Sequence, residues 1–191
     1  MKLVLTILFS LMLSLNVFGQ SGYSISGKVF SKINKQPLPN IIIRLKVTPL
    51  FGVITDSTGS FNIPNLNAGQ YSLEINEFGY DIQDTTLVIT NNSLLNVSIW
   101  LDADCEYDKE RALQDIEQGN VKLLLIGSIV PVRYSTDKKF ERKYNLAFYD
   151  FGCTPPAREC VIEYNNTIFK YLDQKYQNKW RKEVRKDVIG L

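Results

Sequence analysis

The chain has 191 residues, with 22 Lys and Arg against 20 Asp and Glu and no histidine. Charges this close to balance give no reason to expect nucleic acid as a partner. The absence of histidine excludes Ser-His-Asp and Cys-His relays and removes the commonest metal ligand, and three cysteines allow one disulfide and one thiol left over.

The segment Met1–Gly19 reads as a signal peptide. Lys2 supplies the positive end, an apolar run extends from Leu3 to Leu15, and Val17-Phe18-Gly19 precedes Gln20, the expected mature N-terminus. The run is shorter than the roughly 18–20 residues of a spanning helix, and no basic stop-transfer cluster follows it. Export to the periplasm or the cell exterior is therefore expected, with no membrane span after signal removal.

From Tyr23 to Leu101 the chain is strand-like. Tyr23–Phe30 alternates, and Pro37 and Pro39 mark a loop over Ser31–Asn40. Ile41–Val47 predicts a buried strand and Pro49–Gly52 a turn. Val53–Asp56 and Ser60–Ile63 flank Asp56-Ser57-Thr58-Gly59 and predict a hairpin. Tyr71–Asn76, Thr86–Thr90 and Leu94–Leu101 complete about seven short strands, with Phe78-Gly79-Tyr80 at a bend, a pattern that predicts a β-sandwich.

Beyond Asp104 the pattern changes to helix, strand, helix, strand, helix. Asp108–Gln118 predicts a helix stopped by Gly119-Asn120, Val121–Val130 a strand, Thr136–Tyr144 a short charged helix, and Leu146–Phe151 a second strand. In a long amphipathic helix over Cys160–Lys186, Val161, Tyr164, Ile168, Leu172, Tyr176 and Trp180 recur every three to four residues. The expected organisation is a signal at 1–19, an all-β sandwich at 20–101 and a small α/β (or α+β) unit at 102–191.

Residues 24–101 resemble the carboxypeptidase regulatory-like domain, a transthyretin-like β-sandwich. The resemblance rests on SISGKVF (Ser24–Phe30), QPLPN (Gln36–Asn40), TDSTGSFNI (Thr55–Ile63), LNAGQYSL (Leu66–Leu73) and FGY (Phe78–Tyr80), with Asn40 replacing the family's usual small residue. It implies an accessory, non-catalytic module of the kind found beside peptidase domains and at the front of outer-membrane transporters in Bacteroidota. A zinc carboxypeptidase would need His ligands and a far longer domain. Fold-determining roles are expected for Gly27, Pro37, Asp56, Gly59, Phe61, Gly69, Tyr71 and Gly79. Gly59 suits the positive φ of a turn, Phe61 points into the core, and Tyr71 after Gly69 has the layout of a tyrosine corner. KKFERKYNLAFYDFGC and the YNNTIFKYLDQKYQNKWRKEVRKD that follows resemble C-terminal segments of exported Bacteroidota proteins that have no assigned activity.

A local Cys153–Cys160 disulfide is expected to fix how the long helix leaves the preceding strand, contributing about 2–3 kcal/mol. Cys105 joined to one of them is the alternative, and a reactive thiol or a three-thiolate metal site are further ones. Lys175, Lys179, Arg181, Lys182, Arg185 and Lys186 read as a solvated helix face or as a basic face for an acidic surface. Asp102, Asp104, Glu106, Asp108 and Glu110 supply a helix N-cap and first turn, or calcium ligands without the Gly-centred loop of an EF-hand. Glycosylation sequons stand at Asn91, Asn96 and Asn165. No catalytic residue, cofactor or metal is assigned. The leading reading is a non-catalytic exported scaffold or binding module of the cell envelope, whose partner is an envelope protein or glycan. The alternatives are a thiol-dependent enzyme or redox factor using the C-terminal cysteines, and a regulator that co-purifies with a peptidase.

Overall fold

A computed structural model describes residues 22–90, 95–125, 127 and 129–191. The signal-peptide segment and Asn91 lie outside the described residues. Seven strands come first: β1 (Tyr23–Ser31), β2 (Ile42–Leu45), β3 (Phe51–Ile54), β4 (Ser60–Leu66), β5 (Gly69–Ile75), β6 (Gln83–Ile89) and β7 (Leu95–Leu101). They form a three-stranded sheet in the order β4-β1-β7 and a four-stranded sheet in the order β3-β2-β5-β6. The pairing of β1 with β7 is parallel, and the other pairings in the two sheets are antiparallel. Alternation fills the space between the sheets with Ile25, Val29, Ile43, Leu45, Ile63, Leu73, Ile75, Ile89 and Leu101, all nearly inaccessible to solvent. Opposite Gly27, the ring of Phe61 packs over the backbone of β1.

The expected hairpin is corrected. The Asp56–Ser60 turn is tight: Asp56 Oδ1 accepts from Thr58 N at 2.8 Å and Ser60 N at 2.9 Å, and Gly59 has φ +72°. Yet β3 pairs with β2 in one sheet and β4 with β1 in the other, so the turn carries the chain from sheet to sheet. Turn chemistry dictates a reversal and leaves the pairing partners to the core. Strand β3 also begins at Phe51, inside the stretch read as a turn.

Buried Thr55 anchors this crossing. Its Oγ1 accepts from Ile41 N at 2.9 Å and donates to Leu38 O at 2.7 Å. Thr55→Val keeps the shape and strands both backbone groups, so a loss of about 1–3 kcal/mol is expected, read as a lower urea midpoint with an unchanged slope.

The second half holds α1 (Lys109–Glu117), β8 (Lys122–Leu125), α2 (Asp137–Tyr144), β9 (Ala147–Asp150) and α3 (Arg158–Tyr176), followed by a 3₁₀ turn at Gln177–Lys182. Asp108 caps α1, its Oδ1 accepting from Arg111 N at 2.8 Å. Strands β8 and β9 are parallel and joined through α2. On the other edge of β8, Leu125 bridges to Val188 and Ile189 N donates to Leu124 O at 3.2 Å. A separate core gathers Leu123, Leu124, Tyr164, Ile168, Leu172 and Trp180. Among the described residues no helix is long and apolar enough to cross a membrane.

Two expected elements are shorter than their periodicity suggests. Strand β8 stops at Leu125 instead of Val130. The last helix stops at Tyr176 instead of Lys186, because Gln177 adopts φ 57° and reverses the chain. Trp180 then folds back to a fully buried place on α3, where its Nε1 donates to Asp173 Oδ1 at 2.8 Å. The apolar stripe continues through Trp180 in sequence, but tertiary packing supplies the contact that one straight helix would have made.

Candidate functional site

The loop from β8 to α2 leaves the sheet at the carboxyl end of β8, and β9 ends beside it at Asp150. Crevices outside the carboxyl ends of parallel strands are where open α/β sheets hold ligands. Here the crevice has a volume of about 480 Å³, and its walls include Leu125, Val132, Tyr134, Phe148, Tyr149 and Arg185. The same loop is strongly apolar in solvent: Ile129 is 87% exposed, Val130 74% and Tyr134 50%.

Arg185 organises the wall. Its Nε and one terminal nitrogen donate to the two oxygens of Asp187 at 2.6 Å each, and the other terminal nitrogen donates to Asp137 Oδ2 at 3.0 Å. The guanidinium lies over the Tyr134 ring at 4.8 Å and the Phe148 ring at 5.4 Å. Hydrogen bonds from Arg185 hold the Asp187 carboxyl below the ordinary carboxylate range, against the pull of burial. Asp137 Oδ2 also accepts from Tyr134 N at 2.9 Å, Glu141 Oε1 from Phe148 N at 3.0 Å, and Asp150 Oδ1 from Gly152 N at 2.8 Å. Burial raises the Glu141 carboxyl, but the Phe148 N–H and Lys138 outweigh it and hold the group low. Each of these carboxylates shapes a loop or neutralises the arginine. The arrangement presents aromatic and aliphatic surface braced by internally paired ions, which suits holding a ligand or partner group.

Two of the six cations read as a solvated or basic face, Arg181 and Arg185, are paired internally. The Arg185 side chain is 6% exposed and its charge is offset by two carboxylates, and Arg181 donates to both oxygens of Asp173 at 3.0 and 2.8 Å. Lys175 donates to Tyr171 Oη at 2.8 Å on α3, while Lys179 and Lys182 lie on the 3₁₀ turn and Lys186 beyond it. Lys175 and Lys179 line one shallow hollow beside Gln177, and Lys179 and Lys182 line the next, so the lysines stay together while the two arginines are taken up by internal pairs.

The cysteine pairing is corrected too. Cys160, fully buried in the first turn of α3, is joined to Cys105, with Cα atoms 5.5 Å apart, and Cys153 is a free, exposed thiol. The first turn of α3 aims Cys160 at the segment after β7. The fixed φ of Pro155 and Pro156 keeps the intervening segment extended, so Cys153 does not fold back onto it. The bond tacks α3 to the end of the sandwich. At the same junction Gly79, with φ +83°, lies so close to Pro156 and Ala157 that a Cβ there would collide with their backbone. Next to it, Tyr80 Oη donates to Glu159 Oε2 at 2.7 Å. Burial, and then this bond, push the Tyr80 hydroxyl far above its ordinary range. A groove of about 800 Å³ runs nearby between α1, α3 and Ile33-Asn34.

Of the other residues singled out from sequence, Tyr71 Oη donates to Asn67 O at 3.1 Å and accepts from Asn67 N at 3.2 Å. Pro37 bridges to Phe30, and Gly69 has φ +157°. Asp102 pairs with Lys32 at 3.2 Å. Asn165 is fully buried: its Oδ1 accepts from Leu124 N and its Nδ2 donates to Leu124 O and Ile189 O, at 2.8–3.0 Å, which removes this sequon from the surface. Sequence reasoning missed Tyr134, Phe148 and the role of Arg185. The only available signal is the uncharged run Ile129–Val132, whose first two residues fall in the predicted strand Val121–Val130.

Comparison with known proteins addresses the first half. The model of a family described as CarboxypepD_reg-like domain matches residues 25–109, under half of the chain. No curated protein matches. Among solved structures, the Bacillus anthracis TIE protein is 16% identical with a TM-score of 0.38, over 61% of this chain and 20% of that one. The group B streptococcus pilus 2b backbone protein is 18% identical with a TM-score of 0.37, over 44% of this chain and 42% of that one. Klebsiella pneumoniae 5-hydroxyisourate hydrolase is 14% identical with a TM-score of 0.36, over 43% of this chain and 91% of that one. The chain thus spans a fifth to two fifths of the length of the first two, and scores this low assign it no activity. Residues 25–109 are a carboxypeptidase regulatory-like domain, and the crevice-bearing unit lies almost wholly beyond it.

Proposed function

We propose that this protein is a non-catalytic binding module exported to the bacterial cell envelope, in which the sandwich is the scaffold and the C-terminal unit makes the contact. The observation that carries the reading is the crevice at the carboxyl ends of β8 and β9. Its aromatic walls are braced by Arg185, which two carboxylates hold in place, and an aliphatic loop stands open to solvent beside it. Exposed apolar surface of this kind, next to a built hollow, marks interaction sites. The disulfide supports an oxidising compartment, hence export. The thiol alternative is left with Cys153 alone.

The test is site-specific photocrosslinking in producing cells. A photoreactive residue at Val132 is expected to give a discrete adduct in the envelope fraction, lost on adding Ile129→Glu, whereas the same group at exposed Lys28 on the sandwich gives none. Equal adducts from both positions, or none from Val132, would sink the crevice as the contact. The exported chain is expected to begin at Gln20; an uncleaved chain retained in the cytoplasm would remove the envelope from the proposal.

A further inference from the structure

Strand β3 is one edge of the four-stranded sheet and, among the described residues, pairs only with β2. Phe51 lies opposite Leu45 and Val53 opposite Ile43, so these two share the inner face with buried neighbours, while Gly52 and Ile54 lie on the outer face. Thr55 N donates to Ile41 O at 3.0 Å, toward β2. Backbone polar groups alternate in direction along a strand, so Phe51 and Val53 also turn theirs to β2. Leu50, Gly52 and Ile54 turn theirs outward, to the free edge.

That edge is unguarded. Folded proteins block open edges with charges, prolines or bulges. The opposite edge, β6, carries Asp84 in a 2.8 Å ion pair with Lys46, and β4, an edge of the other sheet, contains Pro64. From Thr48 to Thr55 there is no charge, the one proline, Pro49, stands before the strand and not in it, and Leu50 is 72% exposed, Ile54 62% and Phe51 43%.

We infer that a second copy of this chain adds across β3, antiparallel, about a two-fold axis through Gly52. The strand complements itself in this register. The outward N–H and C=O of Gly52 meet those of the partner's Gly52. On the outer face Leu50 meets the partner's Ile54, and on the inner face Phe51 meets the partner's Val53. No side chain occupies the axis, and no like charges are brought opposite each other. A slip of one residue would set inner residues against outer ones. The paired segment is short, so the dimer is expected to be reversible and concentration-dependent. This inference is independent of the crevice.

The experiment is sedimentation equilibrium of the mature chain carrying Cys153→Ser, which removes the exposed thiol as a cross-link, from micromolar to submillimolar concentration. A monomer–dimer equilibrium is expected. Leu50→Lys with Ile54→Lys sets lysines opposite one another and is expected to weaken association about a hundredfold while the melting temperature holds. Val88→Lys on β6 is expected to leave it unchanged. Phe51→Cys with Val53→Cys is expected to give a disulfide-linked dimer on mild oxidation, which reports the register. A chain monomeric throughout the range overturns the inference and leaves an extended segment of another protein as the edge's partner. Undiminished dimerisation of the double-lysine variant overturns it as well.

Discussion

Asp115→Ala is expected to destabilise the C-terminal unit by about 3–5 kcal/mol, the cost of removing one partner from a buried ion pair. Asp115 is 1% exposed, with Lys122 Nζ 2.8 Å from Oδ2, Tyr164 Oη donating to the same oxygen at 2.7 Å, and Arg111 Nε 3.3 Å from Oδ1. Truncation leaves the mostly buried Lys122 ammonium without its counter-ion and the buried Tyr164 hydroxyl without its acceptor. Trp180 lies in this core and reports its unfolding by fluorescence once Trp100 is replaced by Phe. Asp115→Ala with Lys122→Met is expected to recover part of the loss, because no unpaired charge then remains inside. Undiminished stability of the single variant would show that the cluster is solvated.

The same cluster fixes a pH dependence. Burial pushes the Asp115 carboxyl up, but the hydrogen bonds from Lys122 and Tyr164 and the charges of Lys122 and Arg111 outweigh it and hold the group below its ordinary range. A carboxyl depressed in the folded state binds its proton more readily when unfolded. Its stabilisation is therefore complete above the unfolded value of about 3.9 and is lost as pH falls through the folded value. The C-terminal unit should lose stability steeply below about pH 4, and this acid sensitivity should be weaker in Asp115→Ala.

Cys105→Ser is expected to cost about 4 kcal/mol, since the Cys105–Cys160 bond closes a loop whose ends are 55 residues apart. Cys153→Ser, at an exposed free thiol, is expected to be near neutral. The expected local bridge would have closed a far shorter loop and contributed correspondingly less. Denaturant unfolding of the two variants under non-reducing conditions distinguishes the arrangements. A large loss from Cys153→Ser with none from Cys105→Ser would restore the local bridge.

The sandwich was legible because its signals are local and mutually consistent. The alternation in Tyr23–Phe30, the Asp56–Gly59 turn and the Gly69–Tyr71 corner each announce themselves within a few residues. What stayed hidden depends on residues far apart. The sheet that β3 joins is chosen by the core, and Cys160's partner depends on which way the first turn of α3 faces. Trp180 continues the stripe of α3 so well that the break at Gln177, a backbone reversal without glycine, left no trace in the periodicity. The crevice was illegible for the same reason. Tyr134, Phe148 and Arg185 come from three separate segments, and Arg185 read as one more cation in a basic run until Asp137 and Asp187 were seen to neutralise it.

The Cys105–Cys160 bond also sets how the molecule carries tension. A pull applied between the sandwich and the C-terminus passes from β7 through the two sulfurs into α3, bypassing α1, β8, α2 and β9. The 55 residues of sequence between the cysteines hold roughly 190 Å of contour at full extension. While the bond is oxidised that length stays out of the load path, so α1, β8, α2 and β9 are relieved of tension, whereas the segment from Arg185 to Ile189, which closes the crevice wall and the edge of β8, lies beyond Cys160 and takes the load directly.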